Sequence, residues 1–103
     1  VKPYPSCRYG HAGVDAALML RAEHNLRPEE IESVTMGLPN KGMLLVGAPL
    51  EYNQHPRNTV DGQFSGPFVV SCALAHGEFG WDSYARMDEP VLRTLMPKVT
   101  CVE

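Results

Sequence analysis

The sequence has no block of lysine or arginine, no closely spaced pair of cysteines, and no long apolar run. Each absence narrows what the protein can be. Nine Lys+Arg against twelve Asp+Glu leave a net charge of −3. That balance argues against a general nucleic-acid surface, because phosphate backbones are held by clustered cations. Cys7, Cys72 and Cys101 are odd in number and share no short spacing, so they outline no disulfide framework. A reduced, cytoplasmic setting is the expectation that follows. His24, His55 and His76 have no metal-ligand spacing with one another or with the cysteines. A membrane span needs ~18 consecutive apolar residues, and no stretch approaches that. Gly-rich phosphate loops and serine nucleophile motifs are also lacking. The opening Val1-Lys2-Pro3 carries no signal-peptide pattern and no initiator methionine, so the chain is expected to be part of something longer.

What is present describes one small folded domain. At 103 residues the chain can bury roughly two-thirds of its unfolded surface around a single modest core. The apolar fraction of 44% and charged fraction of 20% exclude a disordered chain.

The segment Lys2-Pro3-Tyr4-Pro5-Ser6-Cys7-Arg8-Tyr9-Gly10-His11 is the richest in chemistry. It puts an ammonium, a thiol, a guanidinium and an imidazole just ahead of an apolar helical run. Helix starts carry unpaired N–H groups and positive potential, so cations gathered there suit an anion. Arg presents a planar fork to a carboxylate, and Lys a point charge.

Periodicity predicts the elements. A first helix runs from His11 or Ala12 to Glu23, with Asn25 as its stop. Ala16 to Leu20 are apolar almost all round, which predicts a buried helix. A short helical turn follows at Pro28-Glu29-Glu30, and Ile31–Leu38 reads as a strand with Val34, Met36 and Leu38 on one face. Lys41–Val46 forms a short helix, and Gly47–Asn58 reads as loop. Thr59 is expected to cap a helix with Asp61 in its first turn. Ser65-Gly66-Pro67 restarts a nearly all-apolar helix that ends at Gly77. Trp81 and Tyr84 lie on a short helical piece, Pro90 starts a last helix, and Lys98–Glu103 is a strand. The expected fold is α+β, with two central buried helices on a short antiparallel sheet. Two strands alone are marginal, so the sheet is expected to need further sequence, a second copy, or both.

Two stretches carry a resemblance. Lys2-x-Tyr4-Pro5-x-Cys7-x3-His11-x3-Asp15-Ala16, followed by Pro56-Arg57-Asn58-Thr59-Val60-Asp61-Gly62-Gln63-Phe64-Ser65-Gly66-Pro67-Phe68, resembles the MmgE/PrpD family. Pro28–Val34 and Lys98-Val99-Thr100 are also similar to it. That family includes 2-methylcitrate dehydratase, cis-aconitate decarboxylase and iminodisuccinate epimerase. The resemblance implies the smaller α+β lid of an enzyme whose large all-helical domain is absent here, so that residues 1–103 are a single, incomplete lid domain. It implies a homo-oligomer, a homodimer in the first instance. It also implies lyase or isomerase chemistry on a polycarboxylate by proton abstraction next to a carboxylate, of the 2-methylcitrate dehydratase kind found in propionate metabolism. It suggests no metal or organic cofactor, no nucleic acid and no membrane as partner.

Residue by residue, Lys2 matches the family's lysine ahead of the lid helix. Cys7 falls at the position of a catalytic histidine in cis-aconitate decarboxylase, and His11 matches a second, widely used histidine. Lys2, His11 and Cys7 are therefore the catalytic candidates, and Arg8 and Arg57 the substrate-binding ones. Each has a plainer alternative: solvated cations for Lys2 and Arg8, a helix-start residue for His11, a small apolar side chain for Cys7, a surface ion pair for Arg57. Gly62, Gly66 and Phe68 stand where Ala, Leu or Met, and Tyr are more usual, which predicts a looser helix and a lost hydroxyl. The rival from another class is a non-catalytic α+β module that binds anions or dimerises through an unpaired strand.

Overall fold

The computed structural model describes residues 4–103. After one 3-10 turn at Arg8–Gly10, helix α1 spans His11–His24. It ends at Asn25, whose left-handed backbone (φ 51°) lets its N–H reach the Arg21 carbonyl. Strand β1 (Val34–Gly37) alternates as the sequence predicts, with Met36 buried and Thr35 and Gly37 exposed. Helix α2 (Asn40–Gly42) runs into a π-helical turn, Met43–Gly47. Helices α3 (Leu50–Gln54), α4 (Thr59–Gln63) and α5 (Gly66–His76) follow. A 3-10 stretch at Trp81–Arg86 leads to α6 (Pro90–Leu95), another 3-10 turn, and strand β2 (Val99–Val102).

α5 is the centre of the molecule, buried without interruption from Gly66 to Leu74. Its ends are well satisfied, as buried helix ends must be. At the start, the Ser65 hydroxyl accepts the Phe68 N–H at 3.0 Å and donates to the Asn53 carbonyl at 2.5 Å. At the end, Gly77 takes a left-handed conformation (φ 71°) that an L side chain rarely adopts. The Arg21 guanidinium packs onto that bare glycine and donates through Nε to the Leu74 carbonyl at 3.1 Å. A cation at a helix C-terminus also faces the favourable end of the dipole. Phe68, Leu92, Leu95, Met96, Val14 and Val99 are completely enclosed around α5. Each such side chain contributes roughly 1.5–3 kcal/mol by leaving water.

Four expectations are corrected. The two strands are parallel, Val34 opposite Val99 and Gly37 opposite Val102, where the sequence suggested an antiparallel pair. The chain leaves β1, builds α2–α6, and returns to the end of the sheet where β1 begins. Lys98 secures that return by donating from Nζ to the Ile31 carbonyl at 2.9 Å. A parallel pair requires such a long crossover. Second, α1 is not enclosed: only His11, Val14 and Ala17 are buried, and Met19 is 60% exposed. Third, the stretch read as loop between Gly47 and Asn58 holds α3, whose Gln54 donates to the Val99 carbonyl at 2.8 Å and so closes the outer edge of β2. Fourth, Asn58 caps α4 in place of Thr59, its Oδ1 accepting the Asp61 N–H at 2.8 Å. No helix among the described residues is long and apolar enough to cross a membrane.

Candidate functional site

The segment ahead of α1 is stitched down almost residue by residue. The Tyr4 hydroxyl donates to Asp15 on α1, and the Tyr4 ring stands edge-on to His11 at 5.4 Å. That bond to a carboxylate, with partial burial and the nearby negative charge, pushes the Tyr4 phenol up to about 12. Tyr84 donates to the Pro5 carbonyl at 2.5 Å. His11 Nε2–H donates to the Ser6 carbonyl at 3.1 Å. The Cys7 N–H is taken by the Gln63 carbonyl at 2.8 Å, which joins the segment to the end of α4.

So held, the segment forms one wall of a hollow of about 390 Å³. Cys7, Arg8 and Tyr9 line it on this side, Gln63 and Phe64 on the α4 side, and Trp81 on the third. Arg8 is the one charged side chain among these lining residues, and it is exposed. The rest of the lining is neutral: a half-buried thiol, a carboxamide and aromatic faces. Trp81 is 66% exposed and Phe64 44%, an unusual amount of open aromatic surface for one mouth. A single unopposed guanidinium over aromatic walls can hold a carboxylate that carries an apolar portion.

Not all the candidates meet there. Cys7 and Arg8 do. Lys2 lies outside the described residues. His11 is 8% exposed and points back into the protein, where it fastens the Ser6 carbonyl and packs on Tyr4. It is not among the residues lining the hollow. Arg57 sits elsewhere, its guanidinium 5.0 Å from the Tyr52 ring centroid and 3.5 Å from the Asp61 carboxylate. Asp61 is also the acceptor for the Tyr52 hydroxyl at 2.7 Å and the Arg57 N–H at 3.1 Å, and these bonds hold its carboxyl below the usual range. Gln63, Phe64 and Trp81 were not singled out in the sequence. The lone tryptophan on a short polar element was the available signal, since such a residue usually seeks cover.

The two unexpected glycines prove to be contact points. A Cβ on Gly62 would lie 2.9 Å from Met87 Cε and 3.0 Å from Tyr84 Cε1, so its absence admits the tyrosine that anchors Pro5. A Cβ on Gly66 would lie 3.2 Å from the Val46 carbonyl oxygen. Phe68 is fully enclosed against Tyr84 and Phe79, a place that offers its missing hydroxyl no obvious need. Among the described residues no group of three His, Cys, Asp or Glu side chains could hold a metal ion.

A comparison with curated proteins returns no match. One family model, described as the MmgE/PrpD C-terminal domain, matches residues 4–103, the whole described chain. The Cys7–Gln63 bond joins the Tyr4-to-Asp15 stretch to the Asn58-to-Phe68 stretch, and the family match spans both: the chain belongs to the MmgE/PrpD family as its C-terminal domain.

Proposed function

We propose that this domain forms the lid half of an enzyme acting on a polycarboxylate by proton abstraction next to a carboxylate, a lyase of the 2-methylcitrate dehydratase kind. The observation that carries the reading is the hollow at Cys7 and Arg8, whose lining joins a single charged residue to the aromatic Tyr9, Phe64 and Trp81. Removing a proton from carbon next to a carboxylate leaves an enediolate-like dianion. A fixed cation in a water-poor cleft stabilises that charge far better than bulk water does. Arg8 takes a substrate carboxylate. Lys2 moves the proton, and Cys7 lies beside the reacting carbon. His11 serves by holding the Ser6 carbonyl, which sets the direction of Cys7 and Arg8. The opposite wall of the cleft comes from an all-helical domain, so the 103-residue chain alone binds without turnover.

Titration of the chain with tricarballylate, followed by calorimetry, tests the reading. Saturable binding is expected, weakened at least about fivefold by Arg8→Gln, a loss typical of one charge-assisted contact. Equal binding by the variant, or dehydration of 2-methylcitrate by the isolated chain, would refute it.

A further inference from the structure

Gln63 brings to the Arg8 hollow a carboxamide that has no task so far. It is the last residue of α4, where a helix carbonyl lacks an intrahelical partner. That carbonyl accepts the Cys7 N–H at 2.8 Å, so Gln63 sits against Cys7, the chain neighbour of Arg8. α4 is fixed at both ends. Asn58 caps its start, and just past its end the Ser65 hydroxyl is bonded to the Asn53 carbonyl. The backbone of Gln63 is thus fully employed. Its side chain is half-buried and joins no hydrogen bond among the described residues. A polar group held on a fixed backbone, with its own bonds unmade, is suited to meet a ligand.

The chemistry of the lining selects what it meets. Arg8 is the charged group and matches a carboxylate. A carboxamide is neutral, and it both donates and accepts. A hydroxyl also does both, whereas a carboxylate only accepts and would leave the Gln63 oxygen idle. The hollow, about 390 Å³, lies within the range of small-molecule sites and admits a small hydroxy acid that reaches both groups.

We propose that Gln63 is a specificity-determining residue: it receives a hydroxyl of the substrate, so the lid selects hydroxy-polycarboxylates over the same acids without the hydroxyl. The inference rests on the polycarboxylate reading above and adds the group that this reading leaves unassigned. Discrimination arises because an acid lacking the hydroxyl leaves the carboxamide unpaired. One neutral bond at a half-buried position amounts to a preference of about threefold to tenfold.

Citrate and tricarballylate differ by a single hydroxyl, and Trp81, the lone tryptophan, lines the hollow, so its fluorescence reports occupancy. The test titrates the full 103-residue chain with each acid in metal-free buffer. Citrate is expected to bind about threefold to tenfold more tightly. Gln63→Leu keeps the backbone bond to Cys7 and should bring the ratio of the two affinities to about one. Gln63→Asn, which keeps the amide but draws it back, should lower the ratio as well. Arg8→Gln should weaken both acids and preserve the ratio. Equal binding of the two acids by the unaltered chain would overturn this proposal alone. A preference for citrate that survives Gln63→Leu would overturn it too, and would assign the hydroxyl to another lining group such as Tyr9. Binding of neither acid would overturn the polycarboxylate reading together with it.

Discussion

Removing the Tyr84 hydroxyl tests how the segment ahead of α1 is held. Tyr84→Phe keeps the ring in its cluster with Phe68, Phe79 and Trp81, whose centroids lie 5.4–5.8 Å from it in the Phe68, Phe79 and Trp81 pairs. Only the bond to the Pro5 carbonyl is lost. A neutral bond of this kind contributes about 0.5–1.5 kcal/mol net. Burial is the chief cause that pushes the Tyr84 phenol up, and the bond itself is part-buried. A loss of about 0.5–1.5 kcal/mol is expected. For a domain of this size that lowers the melting temperature by about 2–12 °C. Urea unfolding should show the lower midpoint with an unchanged slope, since no new surface is exposed. The His11–Ser6 and Cys7–Gln63 bonds persist, so the Cys7 amide should stay protected from exchange. Unchanged stability would show that the hydroxyl is idle. Lost protection at Cys7 would show that Tyr84 alone, and not the set of anchors, holds the segment.

Two further outcomes follow from the core. Gly66→Ala should destabilise the domain by about 1–3 kcal/mol in chemical denaturation, because the new methyl meets a backbone oxygen that cannot swing away; a more stable variant would mean that the Val46 turn yields. Stability should also decline from about pH 9 upward under reducing conditions. Burial pushes the Cys72 thiol up from 9.0 to about 12, so over that window the unfolded chain gives up its proton first and the folded state loses relative stability. The slope is at most about 1.4 kcal/mol per pH unit for this group. Cys72→Ala should delay the onset, and an unaltered alkaline limb would rule the thiol out.

Much of this was legible in the chain. The Val34–Leu38 alternation, the restart of α5 at Ser65-Gly66-Pro67, and the stop at Gly77 are local signals, set by side-chain period, capping and backbone freedom. The hollow was half legible. Cys7 and Arg8 lie next to each other in a Pro/Gly-punctuated segment, but Gln63, Phe64 and Trp81 join them only through packing. Misjudged α1 shows the same limit. Its apolar residues run all round the helix, and composition alone does not say that one flank has a strand edge beside it in place of a core.

What the residues determined unaided was most of the pieces, α3 excepted, and which family they belong to, because caps, turns and periodicity act over a few neighbours. What tertiary structure alone decided was the parallel sense of the strands, the inward aim of His11, and the pairing of Arg57 with Asp61 and Tyr52. The first needs the long crossover to close; the other two join residues between four and nine positions apart, and packing around them decides which way those side chains turn.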